Sequence, residues 1–532
     1  NDRCILIGMK KLILIAVLLY FSNGFSSTPP DIDSFRNSIE KFESEQFIKF
    51  KADPAQRPDP DMNKLYVSVN GDSVFEYLSE LTNFSVQSKE DGNALWGRIA
   101  GSVYEKRATE YVASKFKEWG MEHVRIQEFN LTSGDWHLEK TALQVQLGNS
   151  TDAWVNLETA TTPYPSGVTS DVGILAPLQY VGLGTIADLR GRDLSGKIIL
   201  LHVRAFEDVL YHSGLESAKR IAKTTGAAGM ILWMDLPGNE KYATQLFDGH
   251  KWIDQIPWVT IGYEDGLYLR KLIESLPEGE LPMVRLTVNG ELKTEGTSQN
   301  LIAELSGTTD ETIVITAHID GYWNAILDNG TGVSILMEMA RYYANIPKQE
   351  RKRRIVFLIT GDHELMGSGG SVVFQEMNPD IVKNSILALQ IEHLGGPGIT
   401  NFFNTAHLTN VDEPLSIFVS NSNKKLLDIL VETANNFGLA LQNLALKGTA
   451  GDVDGLTSIP SFGYISTGWV YHSTADDLKY YSPIELAILT RAHLQIIDKV
   501  NELDLDEIKH ENKEDVLPIY YSQGLNELLS SW

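Results

Sequence analysis

Five segments of the chain carry histidine or carboxylate side chains directly after short apolar runs or at the start of the next helix. These side chains are His318 with Asp320, Asp328, Asp362 with His363 and Glu364, Glu392 with His393, and His472. Histidine and carboxylate ligands without thiolates suit a pair of borderline cations such as Zn²⁺, with one carboxylate bridging the two ions. Two metal ions about 3.5–4 Å apart polarise a carbonyl group and turn a water molecule into a nucleophile at neutral pH. The residue types therefore predict a hydrolase with a dinuclear zinc site.

The apolar runs alternate with amphipathic helices from residue 297 onward. The strands are ETIVITA, RRIVFLIT, NSILALQIE and SFGYIS, and the helices are GTGVSILMEMARYYA, KKLLDILVETANNFGL and SPIELAILTRAHLQIIDKV. Continuous apolar strands separated by such helices predict an α/β fold with a mostly parallel mixed sheet sandwiched by helices. Ligands of such sheets bind at the carboxyl ends of the strands, so we expect the five segments to meet there.

Shifts in composition divide the 532 residues into five parts. We predict a signal peptide (1–27), an N-terminal part of the catalytic domain (31–150), a smaller β-rich insert (151–295), the metal-site domain (296–503) and a solvated C-terminal tail (504–532). Short β runs such as GKIILLHV and AAGMILWMD mark the insert, which shows no group of His, Asp and Glu with ligand spacing. We therefore expect the insert to be non-catalytic.

The first residues of the chain indicate where the protein is located, and its net charge limits the partners that it binds. Met9, Lys10 and Lys11 precede the apolar run LILIAVLLYF, which is typical of a secretory signal peptide, with residues 1–8 a possible upstream artefact. The run is too short for a membrane span of about 20 residues. A net charge of −25 opposes binding to nucleic acid, and the single cysteine, Cys4, excludes an internal disulfide. We expect a secreted or periplasmic protein with no integral membrane span after cleavage.

The segment IVITAHIDGYWNAILDNGTG resembles the His-x-Asp … Asp-Asn-x-Ser/Thr-Gly signature of the family-28 metallopeptidases. That family includes di-zinc aminopeptidases and glutamate carboxypeptidase-like proteins. LWGRIAGSVYEKRATEYVASKFKEWGM and YHSTADDL resemble its first and last motifs, and the insert resembles a protease-associated domain. The resemblance covers most of the chain and implies a zinc exopeptidase-like fold, two zinc ions and peptide substrates.

The resemblance also implies roles for individual residues. The implied metal ligands are His318, Asp328 as the bridge, Glu364, Glu392 and His472. Asp320 would orient His318, and Tyr471 would donate a hydrogen bond to the tetrahedral oxyanion. Trp323 and Trp469 either line the substrate pocket or pack in the core.

One segment, GDHELMGSGGS, departs from the family, which has Glu-Glu here with the first as general base and the second as ligand. Counting from the preceding strand puts His363 at the base and Glu364 at the ligand. Counting back from Gly370 and Ser371 gives Glu364 and Leu365, and counting back from Gly367 and Ser368 gives Gly361 and Asp362. We prefer the strand-anchored register, because strand length fixes the start of the loop.

In this register all five metal ligands remain, and His363 replaces the usual base. A neutral histidine accepts a proton, and Asp362 is a second candidate for the same role. We interpret the chain as an exported aminopeptidase. One alternative is a metal-binding pseudo-peptidase without activity. The other is a carboxypeptidase of the glutamate carboxypeptidase type, which needs a basic pocket that the motif loops lack.

Overall fold

The computed structural model describes residues 31–34, 65–132, 134–147, 153–204, 212–236, 238–243, 256–365, 368–402, 405–445, 449, 451–466 and 468–511. The predicted signal peptide and most of the predicted tail lie outside these residues. Among the residues described, no helix combines the length and the apolarity that crossing a membrane would require.

Strands and helices alternate along the chain. The strands are β1 (Gly97–Arg98), β2 (Glu122–Asn130), β3 (Asp135–Gln146), β4 (Trp154–Asn156), β5 (Ile174–Tyr180), β6 (Ile198–Arg204), β7 (Gly229–Asp235), β8 (Trp258–Ile261), β9 (Met283–Lys293), β10 (Thr297–Leu305), β11 (Thr312–His318), β12 (Gly321–Tyr322), β13 (Arg354–Thr360), β14 (Ser385–Ile391), β15 (Pro397–Phe402), β16 (Thr405–Asp412), β17 (Leu415–Val419), β18 (Leu441–Ala445) and β19 (Ser461–Ile465). The helices are α1 (Gly71–Glu90), α2 (Val103–Glu118), α3 (Ile186–Leu189), α4 (His212–Thr224), α5 (Tyr263–Ser275), α6 (Thr331–Ala344), α7 (Gly369–Met377), α8 (Pro379–Asn384), α9 (Lys424–Phe437), α10 (Pro483–Glu502) and α11 (Leu505–Lys509).

An eight-stranded mixed sheet has the order β18-β17-β19-β14-β11-β13-β10-β2. Its centre, β13-β11-β14-β19, is parallel, and β10 and β2 complete one edge in antiparallel pairing. Alternate residues of β11 face opposite sides: Ile313 and Ile315 pack with α1, α2, α6, α9 and α10, while Val314 packs with α7 and α8. The predicted α/β fold with a mostly parallel mixed sheet between helices is confirmed.

A second, seven-stranded sheet has the order β4-β3-β9-β5-β6-β7-β8 and its own apolar core. Strands β5 to β8 are parallel, and β3, β4 and β9 extend the sheet in antiparallel pairing. Although it precedes residue 151, where the insert was predicted to begin, β3 belongs to this sheet. The resemblance of residues 151–295 to a protease-associated domain stays a prediction.

The first residues of the predicted tail form a short helix that is held against the domain. Residues 505–509 form α11, and its Ile508 is fully buried. The side-chain amide of Asn423 donates to the carbonyl oxygens of Glu507 and Ile508 at 2.6 and 3.0 Å. The buried side chain of Ile508 and these two hydrogen bonds together hold this turn against the domain.

His493 gives the fold a predictable response to pH. It is fully buried in α10, where its Nδ1 lies 2.7 Å from the carbonyl oxygen of Leu489, and burial lowers the pKa of His493 to about 4. The unfolded chain, with an ordinary pKa near 6.5, binds more protons than the folded chain between these values. The free energy of unfolding should therefore fall by up to about 3 kcal/mol as the pH drops through this window. Urea unfolding at pH 7 and pH 4.5 measures the loss, and His493→Gln should remove this component; equal losses in both proteins would contradict the assignment.

Candidate metal centre

Parallel pairing brings the predicted residues to one edge of the large sheet. His318 is the last residue of β11 and pairs with Thr360, the last residue of β13, on the neighbouring strand. Glu392 follows directly after β14, the neighbour of β11 on its other side. Asp328 lies in a one-turn segment, Ile326–Gly330, that leads into α6. The carboxyl ends of adjacent parallel strands thus deliver the side chains to one place, as the sequence predicts.

The carboxylate of Asp328 is the centre of the site. Its Oδ1 lies 2.8 Å from Nε2 of His318 and 2.9 Å from Nε2 of His393. Its Oδ2 lies 2.8 Å from Nε2 of His472, which is also 2.9 Å from Oε2 of Glu364. One buried carboxylate therefore faces imidazoles on both sides.

The ligand atoms form two groups that share Asp328. One group is His318, Asp328, Glu392 and His393, and the other is Asp328, Glu364 and His472; within each group the atoms lie within 4.8 Å of one another. The structure thus brings together all five predicted metal ligands. It adds His393, which the sequence interpretation did not include among the ligands.

The orientation of the three imidazoles fits a metal. Each ring places Nδ1 near a backbone carbonyl oxygen. The acceptors are Asp320 for His318 at 3.1 Å, Ser466 for His393 at 2.7 Å and Ala243 for His472 at 2.8 Å. In a neutral ring this contact puts the proton on Nδ1 and leaves the Nε2 lone pair directed at Asp328. In that tautomer each buried Nε2 has no proton to donate to the carboxylate oxygens beside it, so cations suit the spaces between these atoms.

Protonation of the site follows from its burial and its charges. Burial alone would raise the pKa of Asp328, but His393 and His318 hold it well below its usual range. Burial also opposes charge on His472, but Glu364 and Asp328 raise its pKa to about 10. Burial raises the pKa of Glu364 to about 7, with Asp328 adding to the effect. Protons and metal ions therefore compete for the same ligand atoms.

His363 lies against the site without joining either ligand group. Its ring stacks on that of His318, with centroids 4.0 Å apart and an interplanar angle of 24°. Its Nε2 is 4.0 Å from Oε1 of Glu392, and its Nδ1 is 3.8 Å from Oδ1 of Asp452. Burial, assisted by His318, lowers the pKa of His363 well below its usual range, so the ring is neutral at pH 7. A neutral imidazole beside the ligands is able to accept a proton.

The other two registers place different side chains at these positions, and the geometry favours neither. Leu365 packs in the core of the seven-stranded sheet. Oδ2 of Asp362 accepts hydrogen bonds from the backbone N–H and the hydroxyl of Thr132, both at 2.7 Å, and burial raises its pKa to about 6. Asp362 is thus held by Thr132, whereas Glu364 lies beside His472.

Asp320 connects two parts of the site. Its Oδ2 accepts the backbone N–H groups of His363 and Glu364, both at 3.0 Å. Its Oδ1 lies 3.7 Å from Nδ1 of His318. The backbone carbonyl of Asp320, at 3.1 Å, is the nearer contact of Nδ1 of His318, so the predicted orienting role of the Asp320 carboxylate stays a prediction. The carboxylate itself fixes the loop that carries His363 and Glu364.

Aromatic side chains line the site next to His472. Tyr471 stacks on His472 with centroids 3.8 Å apart, and its ring centroid is 5.0 Å from that of His393. Tyr322 meets His472 edge-on at 5.4 Å. Trp323 is fully buried and donates from Nε1 to the carbonyl oxygen of His472 at 3.1 Å, so it packs in the core. Trp469 is partly buried and packs against the core of the large sheet.

Left-handed backbone occurs at three non-glycine residues of the site. The φ angles are 54° at Asp362, 52° at His393 and 53° at His472. Such conformations cost about 1–3 kcal/mol each and persist only where the surroundings enforce them. At His393 and His472 this conformation accompanies an imidazole that faces Asp328, whereas the side chain of Asp362 is held by Thr132.

Sequence reasoning passed over two polar residues of the site. His393 was visible as the neighbour of Glu392, but strand alternation suggests that adjacent residues point to opposite sides, and only its left-handed turn brings both inward. Asp452 is fully buried and accepts hydrogen bonds from the hydroxyls of Thr316 and Thr360. It lies in a short turn, GDVDG, that follows no apolar strand, so its sequence context gave no signal.

An α/β sheet that gathers three histidines and several carboxylates around one buried carboxylate defines a metal-dependent hydrolase. Residues 300–497 match the profile of Peptidase family M28. The match covers the part of the chain that carries the site, and with it the predictions of a family-28 metallopeptidase and of a metal-dependent peptidase are confirmed.

Individual relatives agree with this assignment. Aminopeptidase YwaD of Bacillus subtilis (strain 168) is 27% identical over 393 residues, which cover 73% of this chain and 72% of that protein. The structure of BSAP, a zinc aminopeptidase from Bacillus subtilis, is 20% identical with a TM-score of 0.59 and covers 83% of this chain and 99% of that one. The structure of a Peptidase M28 precursor from Shewanella amazonensis SB2B is 18% identical with a TM-score of 0.62. The match covers 91% of this chain and 99% of that one. The two structures show that the fold is shared.

Removal of divalent metal should destabilise the protein, because the buried carboxylates then lose the cations between them. At free zinc about 1,000-fold above the dissociation constant, the free energy of unfolding should exceed that of the chelated protein by about 4 kcal/mol. Asp328→Asn should abolish this difference, since both ligand groups share Asp328. The matched control Asp498→Asn, at a carboxylate bonded to Tyr66, should keep it. Calorimetry with and without chelator measures the effect, and a full zinc increment in Asp328→Asn would disprove the shared role.

Proposed function

We propose that the protein is an exported aminopeptidase that removes N-terminal residues from peptides with the help of two zinc ions. The observation that carries the proposal is the carboxylate of Asp328, whose two oxygens face separate groups of ligand atoms. His318 and Glu392 would hold one ion, Glu364 and His472 the other, and Asp328 would serve both. When bound, such ions polarise a peptide carbonyl and lower the pKa of water. Zinc is supported by the relative described as a zinc aminopeptidase.

The chain's own residues would orient the reactants and move the proton. His363, neutral and stacked on His318, would accept a proton from water and return it to the leaving amine. Tyr471, stacked on His472, would donate to the oxygen that becomes negative as the carbonyl is attacked. Asp320 would keep His363 and Glu364 in place through their backbone N–H groups.

The charges near the site favour an amino terminus over a carboxylate as the recognised group. Arg98 is fully buried, and its guanidinium is bonded to the backbone carbonyls of Ile319 and Ala325 at 2.7 and 2.9 Å. The basic run at 348–354 precedes β13, whose other end, Thr360, reaches the site. These cations are therefore not placed to bind a substrate carboxylate, which argues against the carboxypeptidase alternative. Export rests on the predicted signal peptide, and the acidic composition argues against nucleic acid as a partner.

Paired substrates test the direction of cleavage. The zinc-loaded protein should hydrolyse aminoacyl reporters and short peptides from the amino end. N-acetylated versions of the same peptides should resist, because they lack the cationic terminus. Mass spectrometry of the products identifies the end that is shortened. Release of C-terminal residues, with equal rates on free and acetylated peptides, would overturn the aminopeptidase assignment.

His363 distinguishes a peptidase from a pseudo-peptidase. His363→Ala should lower kcat/KM by about 100-fold or more, the usual contribution of a general base, while leaving bound zinc unchanged. His363→Glu restores the side chain that the family resemblance places here and should raise kcat above that of the wild type. If wild type and His363→Glu both bind zinc and neither cleaves any peptide, the binding alternative holds instead.

A further inference from the structure

His393 is held in its inward position by contacts at both ends of the residue. Its Nδ1 lies 2.7 Å from the carbonyl oxygen of Ser466, and the hydroxyl of Ser466 donates to the carbonyl oxygen of His393 at 2.6 Å. The left-handed φ of 52° completes the turn that aims Nε2 at Asp328. This is the support that a metal-binding histidine needs, with one nitrogen fixed to the backbone and the other exposed to the ion.

Two lone pairs converge on one oxygen of Asp328. Nε2 of His318 and Nε2 of His393 lie 2.8 and 2.9 Å from the same Oδ1. Because both rings place Nδ1 against a carbonyl oxygen, their neutral forms direct only lone pairs at the carboxylate. Three electron-rich atoms at these distances repel one another unless protons or a metal cation lie among them, and a metal cation would serve all three atoms at once.

Glu392 is less free than His393 to serve as the main ligand on this side. Its Oε2 accepts the backbone N–H of Asp452 at 3.1 Å, and its Oε1 lies 3.5 Å from Nε2 of His393 and 4.0 Å from Nε2 of His318. Gly451, with φ of 65°, lies so close that a β-carbon there would be 2.1 Å from Oε2. Backbone on one side and imidazoles on the other thus confine this carboxylate, which contributes one oxygen to the ligand group.

We infer that His393 is a direct metal ligand and that, through it, the two metal positions of this chain are unequal. The His318 position has four protein ligands, of which two are imidazoles, whereas the His472 position has three. Four protein ligands complete the tetrahedral shell of zinc, and three leave a place for water or substrate. The His318 position is therefore filled first and releases its ion last, and the His472 position is where substrate exchanges. The inference rests on the proposed metal-dependent function but concerns metal binding alone.

Cobalt substitution tests the inference without any substrate. Paramagnetic Co²⁺ shifts the Nδ1–H protons of ligating histidines far outside the normal proton NMR range, so each ligand histidine gives one solvent-exchangeable signal. When the metal-free protein receives one equivalent of Co²⁺, we expect two such signals, from His318 and His393. The second equivalent should add a third, from His472. One signal per equivalent, with two in total, would show that His393 is not a ligand and would overturn the proposal.

Calorimetric titration with Zn²⁺ provides a second readout. Wild type should bind two ions in distinct steps, and His393→Ala should weaken the first step by at least about 100-fold, since even removing a hydrogen-bond partner of a ligand costs 10–100-fold. His472→Ala should keep the tight step and lose the weak one. The matched control His493→Gln alters a buried histidine that also contacts a carbonyl oxygen but lies outside both ligand groups, and it should leave both steps unchanged.

Two results would show that the metal positions do not differ in affinity in the way that we infer. Two steps of equal affinity in wild type, or an unchanged first step in His393→Ala, would each overturn the inference. If His393→Ala fails to fold, the cobalt spectrum of the wild type still counts the ligand histidines. A protein that shows the three cobalt-shifted signals but cleaves no peptide would disprove the proposed aminopeptidase while leaving this inference standing.

Discussion

The site depends on placing one negative charge, the carboxylate of Asp328, where water hardly reaches it. Asp328 is only 4% exposed. Because burying an unpaired carboxylate is costly, its partners must be in place when the chain folds. The loop that carries it is fixed from both sides. Arg98 bonds the carbonyls of Ile319 and Ala325, and Oδ2 of Asp476 accepts the backbone N–H groups of Ile326 and Leu327 at 2.7 and 2.8 Å. Motifs far apart in the sequence therefore serve one task, which is to hold Asp328 rigid between two sets of ligands.

The seven-stranded sheet contributes to the centre although it supplies none of the ligand atoms. The carbonyl oxygen of Ala243, from the segment after β7, orients His472, and the backbone N–H of Ala243 donates to the carbonyl of His472 at 2.8 Å. The hydroxyl of Tyr164, from the segment before β5, donates to the carbonyl oxygen of Glu364 at 3.2 Å. Both ligands that depend on these contacts belong to the same metal position. The second sheet thus stabilises the three-ligand side, while the four-ligand side is supported within the large sheet.

Periodicity and strand ends predicted the large sheet and the meeting of the five segments at one edge, and the family resemblance singled out His318, Asp328, Glu364, Glu392 and His472 among their residues. The pattern is strongest at His318 and Glu392, which stand at the ends of parallel strands. His393 depends on a left-handed turn, and Asp452 on a short turn held by threonine hydroxyls, and neither conformation follows from apolar spacing. Residues whose position depends on an unusual backbone conformation or on contacts from distant parts of the chain were therefore not predictable from the sequence pattern.

The proposed use of His363 in place of a carboxylate base changes the charge of the centre as well as its chemistry. Whatever cations the buried ligand groups hold, a neutral histidine leaves the site one unit more positive than an ionised glutamate would. Added positive charge at a buried site would favour the ionised form of water and stabilise a developing oxyanion, which would offset the weaker pull of an imidazole on the proton. The same charge would oppose protonation of His363, whose ring already lies against His318. The ring therefore remains neutral and keeps a nitrogen lone pair available at physiological pH, which is the property that a base in this position requires.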